Sequence, residues 1–267
     1  MSDGDPSHRL PARPAGLVSR ADARLTAREV TRARIFLDGP GTSYSTADLL
    51  RLRADHAAAQ DAVHAELTLD DPALRRLVAE FGLFGVSTRA TSRADYLADP
   101  ESGRSLDDDA REKVARWFAT GTDLQVVLGD GLSPQAVARY GPEMLESLHE
   151  AADRRGWNVG LPFLVSRCRV GVLNDVGDLL RPAIVVLLIG ERPGLQTAES
   201  MSAYMAYRPE SGHTDADRNL VCNIHETGTA PVDAARRVIA LAEQMFATGT
   251  SGVALKEQVV PPDRLHP

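Results

Sequence analysis

The sequence predicts an α/β fold, an open and mostly parallel sheet with helices on both faces, preceded by a helical N-terminal region. Three observations carry that expectation. Ala183 to Ile189 is apolar at every position without alternation, as a central parallel strand covered on both faces requires. From about Asp123 onward, short β-branched runs alternate with stretches of helical spacing, the texture of strand–helix repeats. Ahead of them, residues 29–120 carry helix-capping signals and no comparable strand.

In chain order, residues 1–28 hold Gly4, Pro6, Pro11, Pro14 and Gly16 without a sustained apolar period, which predicts a flexible arm. Ser45-Thr46-Ala47-Asp48 offers an N-cap with an acidic residue three positions on, opening a helix to about Leu67. His56 and His64 lie on it eight residues apart, so they share a side of the helix but not the i, i+4 spacing of a metal pair. Asp70-Asp71-Pro72 opens a second helix to about Glu80, and Leu106-Asp107-Asp108 a third ending near Trp117-Phe118. Residues 121–257 form the α/β domain. Leu124 to Leu128 is its first strand; Ser133 and Pro134 then supply an N-cap and a first helical residue. A further helix runs from about Pro142 to Arg155. Leu161 to Val165 and Val170 to Leu173 read as strands, Ala183 to Ile189 as the central one, and a helix begins near Thr197. The last helix, Pro231 to about Ala247, spaces Val232, Ala235, Val238, Ile239, Ala242 and Phe246 for one buried face. Residues 258–267, with Pro261, Pro262 and Pro267, read as a flexible tail.

Composition excludes several classes. The 267 residues are 43% hydrophobic and 25% charged, enough for a sizeable core and against wholesale disorder. A net charge of −7 argues against nucleic acid as a partner, because such binding rests on many phosphate contacts. The longest apolar run is the seven residues from Ala183 to Ile189, against about 20 for a membrane helix. Met1 to Arg20 is polar and shows no signal peptide. The expectation is a soluble, cytoplasmic protein. Cys168 and Cys222 are too few for a disulfide framework or a zinc cluster and read as small buried hydrophobes.

In open α/β sheets ligands gather beyond the carboxyl ends of the strands. Two glycine loops fall there, Gly129-Asp130-Gly131-Leu132-Ser133 and Gly190-Glu191-Arg192-Pro193-Gly194. The first lacks the third glycine of G-x-G-x-x-G and the Gly-Lys-Ser/Thr of a P-loop. Glu191 directly after a buried strand is unusual: it can accept hydrogen bonds from a ligand, or pair with Arg192 or Arg181. G-x-S-x-G and H-E-x-x-H are absent, and His225 reads as a buried or capping histidine. Nothing marks a self-sufficient enzyme.

Several separated motifs, in order, carry a resemblance. Arg53-Ala54-Asp55-His56-Ala57-Ala58-Ala59-Gln60-Asp61-Ala62-Val63, Asp130-Gly131-Leu132-Ser133, Ile189-Gly190-Glu191-Arg192-Pro193-Gly194-Leu195 with Ala198-Glu199-Ser200-Met201-Ser202-Ala203-Tyr204, and Asp217-Arg218 with Asn223-Ile224-His225 together resemble the small subunit of ethanolamine ammonia-lyase, from about Ala33 to Glu257. The resemblance implies a Rossmann-like domain behind a helical part, in a hetero-oligomer with a TIM-barrel large subunit that holds ethanolamine. It implies adenosylcobalamin (coenzyme B12) between the subunits and a radical conversion of ethanolamine to acetaldehyde and ammonia, this chain clamping the cofactor and being inactive alone. The resemblance carries cofactor contacts over to Val170, Glu191 and Leu220, the last at a position where close relatives have cysteine. No histidine here sits in Asp-x-His-x-x-Gly, so the cofactor's own benzimidazole is expected to stay on cobalt. In some relatives the N-terminal segment directs the enzyme into a bacterial microcompartment; Leu10 to Arg28 is arginine-rich and weakly amphipathic, and reads as either a plain leader or such a signal. Two other classes stay open: a free-standing nucleotide-dependent oxidoreductase and a non-catalytic assembly subunit.

Overall fold

The computed structural model describes residues 20–29, 34–37 and 43–258, and the chain divides into two compact units, 1–54 and 55–267. Helix α1, Arg20–Glu29, forms at the end of the segment expected to be an arm: every proline and glycine of that segment precedes Ser19, and residues 20–29 are rich in helix formers. The rest of the arm and the tail beyond residue 258 lie outside the described residues. Helix α2, Thr46–His64, starts as its cap predicts, with the Asp48 amide donating to Ser45 Oγ at 3.1 Å. Helix α3, Arg75–Phe81, stops at Gly82 with φ +64°.

Strand β1, Phe84–Ser87, interrupts the segment expected to be helical. It has four residues, one of them glycine, and leaves almost no pattern in the sequence. Helices α4, Arg93–Ala98, and α5, Asp108–Trp117, are capped by the side chains of Ser92 and Asp107. Strand β2 is Leu124–Gly129. Helix α6 is Pro134–Asp153, one helix where the prolines suggest two. Pro142 removes one hydrogen bond, but Val137, Met144, Leu145 and Leu148 continue one buried face through it. Strand β3 is Phe163–Ser166.

Helix α7, Val172–Leu180, overturns the strand expected at Val170 to Leu173. Val172, Leu173, Val176 and Leu180 are buried at helical spacing, and that period decides against the β-branched composition of its first residues. The central strand β4, Ile184–Gly190, is buried throughout. Strand β5, Met201–Tyr207, replaces the helix expected from Thr197, and β6, Asn219–Ile224, precedes the last helix, α8, Pro231–Thr248.

The sheet order is β1-β3-β2-β4-β5-β6. The first four strands are parallel; β5 and β6 pair antiparallel. The sheet is therefore mixed, a correction to the mostly parallel, Rossmann-like expectation. A parallel return needs a crossover of a dozen or more residues, and the link from Gly190 to Met201 is shorter and carries no helix, so β5 comes back beside β4 reversed. Helices do cover both faces. Val126, Leu128, Val186, Leu188, Met201 and Met205 pack with α6 and α8, and Val127, Val185, Leu187 and Ile189 with α5 and α7. On this second face the far end of the sheet stays open: Leu220 is 41% exposed and Cys222 is exposed too. Among the described residues no helix is long and apolar enough to cross a membrane.

Candidate functional site

The carboxyl ends of β2, β3 and β4 bring three loops together. The two glycine loops are packed on each other: the Leu132 amide donates to the Gly190 carbonyl at 3.0 Å. Gly131 has φ +59°, and a Cβ there would sit on the Gly190 carbonyl. A Cβ on Gly190 would meet the main chain of Ser133 and Asp130. These glycines serve main chain against main chain, not the phosphate cradle their spacing could suggest. Ser133 stands at the N-cap position of α6, but its hydroxyl donates to the Ala198 carbonyl at 2.7 Å and caps nothing.

Asp130, 1% exposed, ties the β2 loop to the β3 loop. Its carboxylate accepts the Arg167 amide at 2.8 Å and the Cys168 amide at 2.9 Å, and Arg93 lies 3.6 Å away. Burial pushes this carboxyl upward, opposed by the two amides and then by Arg93. Arg93, 7% exposed, donates to the Gly131 carbonyl at 2.9 Å and to the Val63 carbonyl of α2 at 2.6 Å.

Above this junction lies a cavity of about 360 Å³ lined by Tyr96, Cys168, Arg169, Val170, Glu191 and Tyr204, among others. Two of the three expected site residues, Val170 and Glu191, thus share one wall space. Among the described residues Glu191 forms no ion pair with Arg192 or Arg181. One carboxylate oxygen accepts the Ser200 hydroxyl at 2.7 Å and the other the Ser202 hydroxyl. Leu220 is not in the lining; it stands opposite Tyr204 in the β5–β6 register. Tyr204 has its hydroxyl pushed up in pKa, first by burial and then by the charge of Glu191.

A second cavity, about 540 Å³, shares Leu132, Arg169 and Arg192 with the first and is also lined by His56, His64 and Leu195. His225 is buried, its ring nitrogens facing Asn223 Oδ1 at 2.8 Å and the Thr227 amide at 3.3 Å, which makes it a turn-holding histidine. Cys168 is buried as expected, but Cys222 is exposed, because β6 lies at the open end of the sheet. Sequence reasoning missed Arg93, Tyr96 and Arg169: no local pattern links α4 to a loop more than 70 residues away. Asp130 was within reach through its glycine-flanked place after a strand.

The family model described as ethanolamine ammonia-lyase light chain (EutC) matches residues 21–256. The chain belongs to the ethanolamine ammonia-lyase light chain family. Among relatives, it is 39% identical over 242 residues to the ethanolamine ammonia-lyase small subunit of Xanthomonas campestris pv. campestris, covering 89% of this chain and 88% of that one. It is 40% identical over 232 residues to the small subunit of Rhodopseudomonas palustris (86% and 88% covered) and 37% identical over 232 to that of Listeria monocytogenes (87% and 77% covered). As a light chain of this family it is one subunit of a lyase.

Proposed function

We propose that this chain works as the cofactor-clamping small subunit of an adenosylcobalamin-dependent ethanolamine ammonia-lyase, in a hetero-oligomer with a TIM-barrel large subunit that binds ethanolamine. The observation that carries the reading is that Val170 and Glu191, 21 positions apart in sequence, line one cavity at the carboxyl ends of parallel strands, where α/β sheets hold ligands. When bound, the cobalamin would supply the radical chemistry for the conversion of ethanolamine to acetaldehyde and ammonia.

The residues fit such a group. A carboxylate has about four acceptor sites, and the two serine hydroxyls on Glu191 leave capacity for the amide N–H groups that fringe a corrin. Val170 offers a flat apolar contact, and the exposed Leu220 extends an apolar surface beside Tyr204. In this reading the chain binds and orients the cofactor and keeps water from its buried side, while proton and hydrogen handling belong to the large subunit. The oxidoreductase reading loses its support, because the space beside Gly131 after β2 and Gly190 at the end of β4 is filled by the other loop's main chain.

Ethanolamine deamination by the large subunit with adenosylcobalamin, measured with and without this chain, tests the proposal. Acetaldehyde only in the presence of both chains is the expected result; equal turnover without this chain overturns it. In the assembled complex, Glu191→Ala weakens adenosylcobalamin binding by about 1–3 kcal/mol through the lost buried hydrogen bond. An unchanged affinity removes Glu191 from the contact set.

A further inference from the structure

The buried Arg93–Asp130 pair bonds to none of the proposed contacts Val170, Glu191 and Leu220, yet its bonds reach the elements that line both cavities. Asp130 takes two consecutive amides of the β3 loop, Arg167 and Cys168, immediately ahead of Arg169 and Val170. Arg93 holds the carbonyl of Gly131 in the β2 loop and that of Val63, a wall residue of the larger cavity. Both Arg93 and Arg169 lie against the ring of Tyr96, at 4.8 and 4.3 Å from its centroid. The Tyr96 hydroxyl donates to the Cys168 carbonyl at 3.1 Å, and Arg169 Nη2 donates back to the Tyr96 carbonyl at 3.1 Å.

A buried ion pair is a weak source of stability, and an apolar pair of like volume would fill the same space. What only a carboxylate supplies is an acceptor for two adjacent amides in a loop that has left its strand. That loop also needs restraint: Arg167 has φ +57°, a left-handed conformation that a side-chain-bearing residue holds only when its surroundings fix it.

We propose that Arg93 and Asp130 are positioning residues for the cobalamin contact, a buried clamp that fixes the β3 loop against the glycine loops and so sets where Val170 and Arg169 stand relative to Glu191. This rests on the reading of the smaller cavity as a cobalamin contact. Neither residue needs to touch the ligand.

The test is a titration of the assembled two-subunit complex with cyanocobalamin, followed by absorbance, beside thermal melts and size-exclusion of the same samples. Asp130→Asn keeps the side-chain size but turns one acceptor into a donor facing an amide. The dissociation constant is expected to rise roughly 5- to 150-fold, while the complex stays assembled. With adenosylcobalamin, KM for the cofactor rises and kcat at saturation changes little. An unchanged dissociation constant overturns the proposal, as does a loss of affinity that appears only where the subunits come apart. Should Asp130→Asn fail to fold, Arg93→Lys decides: it keeps the charge, loses the fork between Val63 and Gly131, and is expected to raise the dissociation constant in the same direction. Arg155→Ala, which breaks an ion pair between the turn after α6 and Glu243 of α8, serves as the control and leaves affinity unchanged. Glu191→Ala and Val170→Arg run in parallel. If they leave binding intact, the cavity reading itself fails; if they weaken it and neither Asp130→Asn nor Arg93→Lys does, only the clamp fails.

Discussion

A carboxylate one residue past a fully buried strand is costly unless its oxygens are engaged, and Glu191 engages both with serines from the returning chain. That oddity was visible in the sequence; its partners were not, because Ser200 and Ser202 reach it only when β5 folds back. Val170 and Leu220 are proposed as contacts on the resemblance alone, since neither a valine in a turn nor a leucine on an edge strand signals a ligand by itself. Val170→Arg is expected to reduce cobalamin affinity of the complex more than Glu191→Ala does, because it sets a charge against an apolar surface; equilibrium dialysis compares them, and an equal or smaller loss counts against Val170. Gly131→Ala adds both a left-handed strain and a collision with main chain. It is expected to cost more than about 2 kcal/mol in a urea unfolding midpoint analysis, and a cost below about 0.5 kcal/mol would show that the loop has room to move.

Among the elements, helices with caps were the most legible. The Ser45–Asp48 arrangement sets the start of α2 through hydrogen bonds within four residues, and Ser45→Ala should cost about 1 kcal/mol, read as a lower melting midpoint by circular dichroism; no change would mean the cap is replaced by water. Errors cluster where composition and period disagree. The segment Met201–Tyr207 is made of alanine, methionine, serine and tyrosine, good or neutral helix residues, yet Met201, Ala203 and Met205, at alternate positions, share the face of the sheet packed with α6 and α8. Val172–Leu180 is the reverse case, strand-like in its first residues and helical in its period. Tertiary burial won in both. The edge strands escaped for different reasons: β1 has only four residues, and β6 is half exposed without a regular alternation.

For the molecule as a whole, the class and the two covered faces were readable, while the antiparallel end of the sheet depended on a loop too short for a crossover, a fact of connectivity and not of composition. Acid stability is also a property of the whole. Burial against Phe81 holds the His149 ring below its ordinary pKa of 6.5, partly opposed by the Leu145 carbonyl and Asp153. A depressed folded pKa means its contribution is present above 6.5 and is lost as pH falls from there through the folded value. The Arg237 bond to Glu257 acts likewise, from below about 4.5 downward. The melting temperature is therefore expected to drop between pH 7 and pH 5, and His149→Gln should flatten that part of the profile; an identical slope would clear His149 of the effect. The mutual seat of the two glycine loops has a consequence on a longer timescale. Where side chains collide, a second substitution can restore the fit, and lineages drift through such pairs. At Gly131 and Gly190 the obstacle is peptide backbone, which no codon change elsewhere can trim. Descent is therefore expected to hold both positions at glycine while the residues around them diverge.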